Sequence, residues 1–411
     1  MLGVQHRTFG KGVSYLGLNE RNIGGMSKMK VLHIAASLSA KWGGPTYVVK
    51  ALTESLIRKG VTVSILSPIG EKVGKEIIYP EGVQVEVFTE GFFSIMWTGY
   101  SPGISKALAT EATNYNVVHI HEIWHYPGYA AYYAAKRADK PYIVTVHGSL
   151  EPWCLKYKGY KKNIYAALIQ RRILNEAAAI HAITNEEAQD IQAFGIDAPI
   201  AVIPNGIDPA KFQALPSPEE MDRHYPELVG KKVLLFLGRI HQKKGLDILA
   251  KAFGQIARNR KDLHLLIIGP DNDNYRSQVE RLLESEGVLD RTTFTGMLTE
   301  REKLAGLSRA DICPIPSYSD VRTIVALEAM ACRLPVVITR QCHFPEVAEA
   351  RAGIVIEPNA DQLADAINRL LDNPGLCKEM GENGRRLIME KFTWDKIADQ
   401  MIQLYENVSC K

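Results

Sequence analysis

Two cations on one strand-to-helix turn are the first residues here with the types and spacing for chemistry. Leu234-Leu235-Phe236-Leu237-Gly238-Arg239 carries a buried-strand pattern into an arginine, and Lys244-Gly245 comes just before a helical run that starts Leu246-Asp247-Ile248-Leu249. A guanidinium and an ammonium beside a helix N-terminus make a site for a diphosphate, with Gly238 and Gly245 permitting close backbone approach. The plain alternative is a pair of solvated loop cations.

A second group follows in Ser317-Tyr318-Ser319-Asp320-Val321-Arg322-Thr323-Ile324-Val325-Ala326-Leu327-Glu328. From Ile324 to Cys332 the pattern is apolar nearly all round, which predicts a buried helix. An ionised Glu328 within it needs either a polar ligand or a structural salt bridge. Asp320 stands eight positions earlier, about 12 Å along a continuous helix. Paired glycosidase carboxyls lie about 5 to 9.5 Å apart, so the spacing suits two polar grips on a long ligand. Backbone N–H groups of Val321, Arg322, Thr323 and Ile324 would open that helix toward an anion.

In the first half, Lys41-Trp42-Gly43-Gly44-Pro45 lies between a strand and a helix, as an anion turn or an ordinary βα loop. Val146-His147-Gly148-Ser149 ends another strand, and this location makes His147 a candidate. His121-Glu122-Ile123-Trp124-His125 matches the H-E-x-x-H zinc protease signature. That chemistry needs both histidines on one helix face, whereas here the motif continues the strand Val117 to Ile120 and runs into Pro127-Gly128. A metalloprotease is therefore not expected.

The elements that must hold these residues alternate strand and helix. Val31 to Ala35, Val61 to Ile65, Val117 to Ile120 and Tyr142 to Val146 read as strands, with helical patterns over Tyr47 to Lys59 and Ile164 to Glu176. After Pro204-Asn205-Gly206-Ile207-Asp208 the rhythm restarts, with strands at Lys232 to Leu237, Leu263 to Ile268, Asp311 to Ile315 and Pro335 to Ile338. This is the βαβ order of parallel sheets covered on both faces, and two such domains leave a ligand crevice at the carboxyl ends of their strands. The boundary is placed near Pro204.

At 411 residues, 46% of them hydrophobic, the chain can fill two cores. Its 49 basic and 46 acidic residues leave a formal charge of +3, which gives no signature of a nucleic-acid partner. Six scattered cysteines lack the close pairs of zinc or dithiol sites and point to a reducing, cytoplasmic setting. Residues 1–28 are polar and Gly-rich, lack the apolar core of a signal peptide, and read as a flexible extension. No run approaches the ~20 apolar residues of a membrane-spanning helix.

On these motifs the chain resembles the retaining glycosyltransferases of family four, group 1 type. The resemblance implies an α/β GT-B fold, two Rossmann-like β/α/β domains facing each other across a deep cleft. Residues 29–203 would form the acceptor domain, 204–390 the nucleotide-sugar donor domain, and 391–411 a helix crossing back to the N-terminal domain. Gly238-Arg239 with Lys244-Gly245 looks like the family's diphosphate clamp. By the same resemblance Glu328 binds ribose hydroxyls, Asp320 faces the donor sugar, Gly43 and Gly44 lie near the distal phosphate, and His147 lines the sugar site. Met297, in Phe294-Thr295-Gly296-Met297-Leu298, belongs to the segment that meets the base.

The chain departs from the family at Asp320-Val321-Arg322-Thr323, where members usually carry Glu-Gly-Phe-Gly. The implied activity is metal-independent hexose transfer with retention, without a cofactor, UDP-glucose being the favoured donor. The acceptor would be a saccharide or lipid-linked saccharide of exopolysaccharide or cell-envelope synthesis. A nucleotide-sugar epimerase of the same fold and a non-catalytic nucleotide-sugar-binding protein are the alternatives. Phe92-Phe93-Ser94-Ile95-Met96-Trp97, with Lys156, Lys158, Lys161, Lys162, Arg171 and Arg172, either rests on an anionic membrane at its cytoplasmic face or is a core loop beside a solvated charged helix.

Overall fold

The computed structural model describes residues 6–7, 15–16, 29–156, 165, 169–320 and 323–410. The chain divides into an N-terminal unit, Met1–Asn205 with Trp394–Lys411, and a C-terminal unit, Gly206–Thr393.

The N-terminal unit is built on one sheet. Its strands are β1 (His6–Arg7), β2 (Tyr15–Leu16), β3 (Lys30–Ile34), β4 (Thr62–Ile69), β5 (Gln84–Thr89), β6 (Val117–His121), β7 (Tyr142–Thr145), β8 (Ala179–Ala182) and β9 (Ile200–Val202). They lie in the order β1-β2-β9-β8-β7-β6-β3-β4-β5, and every pair is parallel except β1 with β2. Part of the segment expected to be a flexible extension therefore pairs at the sheet edge, through Tyr15 and Ile200. Order reverses between β3 and β6, both of which touch the crevice where ligands bind in doubly wound sheets.

Every residue of β6, β7 and β8 is buried. Polar side chains on these strands must then find partners inside the protein. The C-terminal helix Trp394–Ser409 lies in this unit and buries Ile397, Met401, Leu404, Tyr405 and Val408, a stripe at helical spacing. Its first turn is tied to the helix Gly44–Arg58 by Ser55 Oγ donating to Asp395 (2.6 Å), with Arg58 bonded to the same carboxylate at 2.9 Å.

The C-terminal unit contains β10 (Lys232–Leu237), β11 (Leu263–Ile268), β12 (Thr292–Gly296), β13 (Cys313–Ile315), β14 (Val336–Thr339) and β15 (Gly353–Ile356). Both sets of three are parallel, and Leu234 bridges to Ile312 beside β13. The resulting order, β12-β11-β10-β13-β14-β15, is the doubly wound arrangement with its reversal between β10 and β13.

Candidate functional site

The β10–β13 reversal gathers the cations predicted from sequence. β10 ends at Leu237, and the chain turns through Gly238 (φ 144°) into exposed Arg239, which forms no ion pair among the described residues. A single turn, Gln242–Lys244, leads to Gly245, which caps the helix Leu246–Ala257 in the left-handed region at φ 68°. A side chain there is excluded twice, by the backbone angle and by Pro316, whose carbonyl oxygen would sit 2.0 Å from an added Cβ. This glycine thus lets the first loop pack against the one after β13.

The two loops are joined at several points. Lys244 Nζ lies 2.5 Å from Asp320 Oδ2, with both side chains half-buried. The Tyr318 amide donates to the Lys243 carbonyl (2.8 Å), and its hydroxyl donates to Asp247 (2.7 Å). Burial, reinforced by that carboxylate, pushes the Tyr318 phenol up to about 12. Among the described residues, Ser317 Oγ, Asp247 Oδ1 and Gln341 Oε1 are buried here without a hydrogen-bond partner. Buried polar atoms are normally satisfied, so three such atoms, at the start of the helix after β10 and in the turns after β13 and β14, are what a site for a polar ligand would carry.

Glu328 is not fully buried as its helix pattern suggested. The helix Ile324–Ala331 turns Glu328 to a half-buried face, where Lys303 holds it at 2.6 Å. It is therefore paired away from Asp320, each carboxylate with its own lysine. Thr323 is buried and precedes the helix, Ile324 opens it, and Val321 and Arg322 lie outside the described residues. Met297, just after β12, is 74% exposed, as a surface offered to a flat ligand would be.

In the N-terminal unit the same address is occupied differently. Gly43 (φ 81°) caps the helix Gly44–Arg58, and a Cβ on either Gly43 or Gly44 would meet nothing within 4 Å. The helix N-terminus thus opens onto free space, as an anion turn requires. Trp42 Nε1 donates to Glu122 (2.6 Å) on the loop after β6. Glu122 is in the left-handed region at φ 68°, and burial pushes its carboxyl up to about 7 against the opposing effect of the indole N–H.

His147 follows β7 with φ 50°, half-buried, its Nε2 3.3 Å from His121 Nδ1. Burial lowers its imidazole to about 3. The next turn is fixed by Glu187, whose carboxylate accepts from the Gly148 and Ile183 amides, both at 2.5 Å. His121 ends β6, whereas His125 precedes the helix Tyr126–Arg137. The H-E-x-x-H motif is thus strand and loop, and its two histidines share no helix face.

His147 has histidine neighbours that its place in the sequence does not show. His33, His119 and His121 are buried with ring nitrogens within 4.8 Å of one another, and His181 lies on β8. His33 Nδ1 is 2.8 Å from His121 Nε2, the separation of donor and acceptor rather than of two ligands about 2 Å from one metal. The available signal was three histidines on central strands, at positions 33, 119 and 181, where an apolar side chain is the default. Glu122 was passed over because it was read only as part of the protease motif.

Two doubly wound units, each with a glycine-capped helix N-terminus at its reversal point, have the architecture of a GT-B protein. Residues 42–211 match the model for glycosyltransferase family 4, and residues 218–387 match that for glycosyl transferases group 1. The alpha-maltose-1-phosphate synthase of Mycolicibacterium smegmatis is 30% identical over 319 residues, covering 71% of this chain and 79% of the relative. The chain belongs to glycosyltransferase family four. Sucrose-phosphate synthase from Thermosynechococcus elongatus shares the fold with a TM-score of 0.75 at 22% identity, over 93% of this chain and all of that one. HepE from Anabaena, in complex with UDP and glucose, does so with a TM-score of 0.74 at 19% identity, over 92% of this chain and all of that one.

Proposed function

We propose that this chain transfers a hexose from a nucleoside diphosphate sugar to a saccharide or lipid-linked saccharide acceptor, with retention and without a metal, in exopolysaccharide or cell-envelope glycan synthesis. The observation that carries the reading is the β10–β13 crevice, where Arg239, Lys244 and the Gly245-capped helix face the loop of Asp320 and the unpartnered Ser317 Oγ. The bond from the anomeric carbon to the diphosphate breaks while a bond to the acceptor oxygen forms on the same face. The acceptor proton leaves with the diphosphate.

Negative charge grows on that leaving group, so cations and helix N–H groups aimed at it stabilise the transition state more than the ground state. Lys244 would exchange Asp320 for the diphosphate, which frees the Asp320 carboxylate to accept hydrogen bonds from the sugar. Glu328 would take the ribose hydroxyls, still charged against Lys303. HepE, solved with UDP and glucose, makes UDP-glucose the first donor to test.

Phe92, Phe93, Ile95 and Met96 are exposed in one short turn, at 81%, 54%, 69% and 85%. We assign them to peripheral contact with an anionic membrane. Arg172 is paired with Glu176 and Arg171 is held on Phe194, while the Lys156 side chain and Lys158, Lys161 and Lys162 lie outside what is described. Among the described residues no helix is long and apolar enough to cross a membrane. The test is release of nucleotide from a panel of nucleotide sugars with glycan acceptors, reading the product's anomeric configuration by NMR. Turnover of donor without any acceptor would instead favour an epimerase, and an inverted product would refute retention.

A further inference from the structure

The buried histidines form one continuous chain whose direction can be read. His181 Nε2 lies 2.8 Å from the carbonyl oxygen of Ile203, and a carbonyl only accepts. Neutral His181 therefore carries its proton on Nε2 and offers a bare Nδ1. Thr145 Oγ1, 2.7 Å away, must donate its single proton there, and so must accept from His119 Nε2, also at 2.7 Å.

With its proton on Nε2, His119 leaves Nδ1 to accept from the Tyr405 hydroxyl at 2.8 Å. Tyr405 can then only accept from His33 Nε2, at 3.5 Å. His33 Nδ1 accepts from His121 Nε2, and His121 Nδ1 accepts from His147 Nε2. One carbonyl thus sets the tautomer of all five rings, each with the proton on Nε2. Burial lowers all five imidazoles and keeps them neutral, as the assignment requires.

We infer that Tyr405 of the C-terminal helix and Thr145 of β7 are positioning residues that hold His147 as the Nε2–H tautomer, its Nδ1 left as a bare acceptor for a substrate hydroxyl. The assignment to a substrate rests on the proposed sugar-transfer function, whereas the tautomer does not. A neutral ring with its proton pinned on the inner nitrogen can accept from a sugar hydroxyl at the outer one, and the reversed ring would present a donor instead. Tyr405 is the joint between the two halves of the chain. It ties the docking of a helix at the far end of the sequence to the state of His147.

The experiment uses the full chain labelled with ¹⁵N-histidine and read by two-bond ¹H–¹⁵N correlation near pH 7 without substrate, His147 being assigned by loss of its signals in His147→Gln. Wild type is expected to show a single Nε2–H tautomer for His147. Tyr405→Phe and Thr145→Val each remove one hydroxyl with little change of shape, so the chain can run either way and a second His147 tautomer appears. Where one variant fails to fold, the other carries the test. In both, kcat is expected to fall on the order of tenfold with KM nearly unchanged, as for a misoriented catalytic group. An Nδ1–H tautomer in wild type, or a single unchanged tautomer in a folded variant, overturns the chain's direction. Wild-type kcat in a variant with mixed tautomers overturns the role of the bare Nδ1 while leaving the tautomer assignment standing.

Discussion

Beyond β3 in the N-terminal unit, the Trp42 indole donates to Glu122 on the loop after β6. Beyond β10 in the C-terminal unit, the Lys244 ammonium meets Asp320 on the loop after β13. These are equivalent places in two sheets of like topology, yet they are furnished in opposite ways. The first is backed by a buried chain of neutral rings running through β3, β6 and β8. The second carries full charges at its loop ends, Lys244 paired half-buried with Asp320 and Arg239 exposed with no ion pair among the described residues. Neutral groups inside a sheet give fixed directions for hydrogen bonds. Paired charges at a crevice mouth can change partner when a diphosphate arrives.

The sharpest way to break this contrast is to remove charge from one side only. Arg239→Ala and Lys244→Ala should each lower transfer at least about a hundredfold, because each deletes a group aimed at charge that grows in the transition state. Arg239→Ala should change stability by no more than about 1 kcal/mol, as for an exposed cation, while Lys244→Ala, which leaves the half-buried Asp320 carboxylate without its partner, should cost more. Steady-state kinetics with a thermal melt checks both, and wild-type turnover in either variant would remove these cations from the mechanism.

Acid tests the other side. Burial lowers His33 and His147 to about 3, His181 to about 4, and His119 and His121 well below their ordinary value. Between about pH 6.5 and 4 the unfolded chain binds protons that these folded rings refuse, so stability falls as pH falls. Glu122 and Glu187, pushed up to about 7 by burial, act in the opposite sense. Five rings against two carboxyls leave a net loss at pH 5.5 relative to pH 7. All five tryptophans, at 42, 97, 124, 153 and 394, belong to the N-terminal unit. Urea unfolding followed by tryptophan fluorescence should therefore shift to lower urea at pH 5.5, and an unmoved midpoint would contradict the buried chain.

A smaller effect is expected at Glu328. Glu328→Gln keeps the shape but loses charge toward both Lys303 and ribose hydroxyls, and should weaken nucleotide binding on the order of tenfold. Calorimetry decides, and unchanged affinity would return Glu328 to a purely structural pair. The smallest effect is none at all. Transfer should survive exhaustive chelation, and the purified protein should carry no stoichiometric zinc, since the close histidine nitrogens are spaced as hydrogen-bond partners.

Much of this was legible in the sequence for physical reasons that differ by region. β10 and β11 run over the expected residues because unbroken apolar, β-branched runs between turn residues are what a parallel sheet interior demands. β5, β8, β9, β12 and β15 do not stand out in the sequence. β5 and β12 lie at sheet edges and have no fully buried residue, so they lack that run, while β8, β9 and β15 have only three or four residues. At the crevice, Arg239 and Lys244 announced themselves by type and by glycine spacing. The histidine chain did not, because His33, His119, His181 and Tyr405 are brought together only by strand register and by a helix from the far end of the chain. Glu328 showed the limit of periodicity. An all-apolar pattern predicts burial, but a helix of eight residues still has one side that can reach Lys303.

Calorimetric titration of UDP and UMP into the wild type and into the Arg239→Ala, Lys244→Ala double variant tests whether the β10–β13 crevice is a diphosphate site. UDP is expected to bind the wild type at least about tenfold more tightly than UMP, through charge-assisted bonds to the second phosphate. In the double variant that gap should close while UMP affinity stays within a few-fold. Equal affinity of the wild type for the two nucleotides, or a gap that survives in the double variant, would contradict a diphosphate site in this crevice.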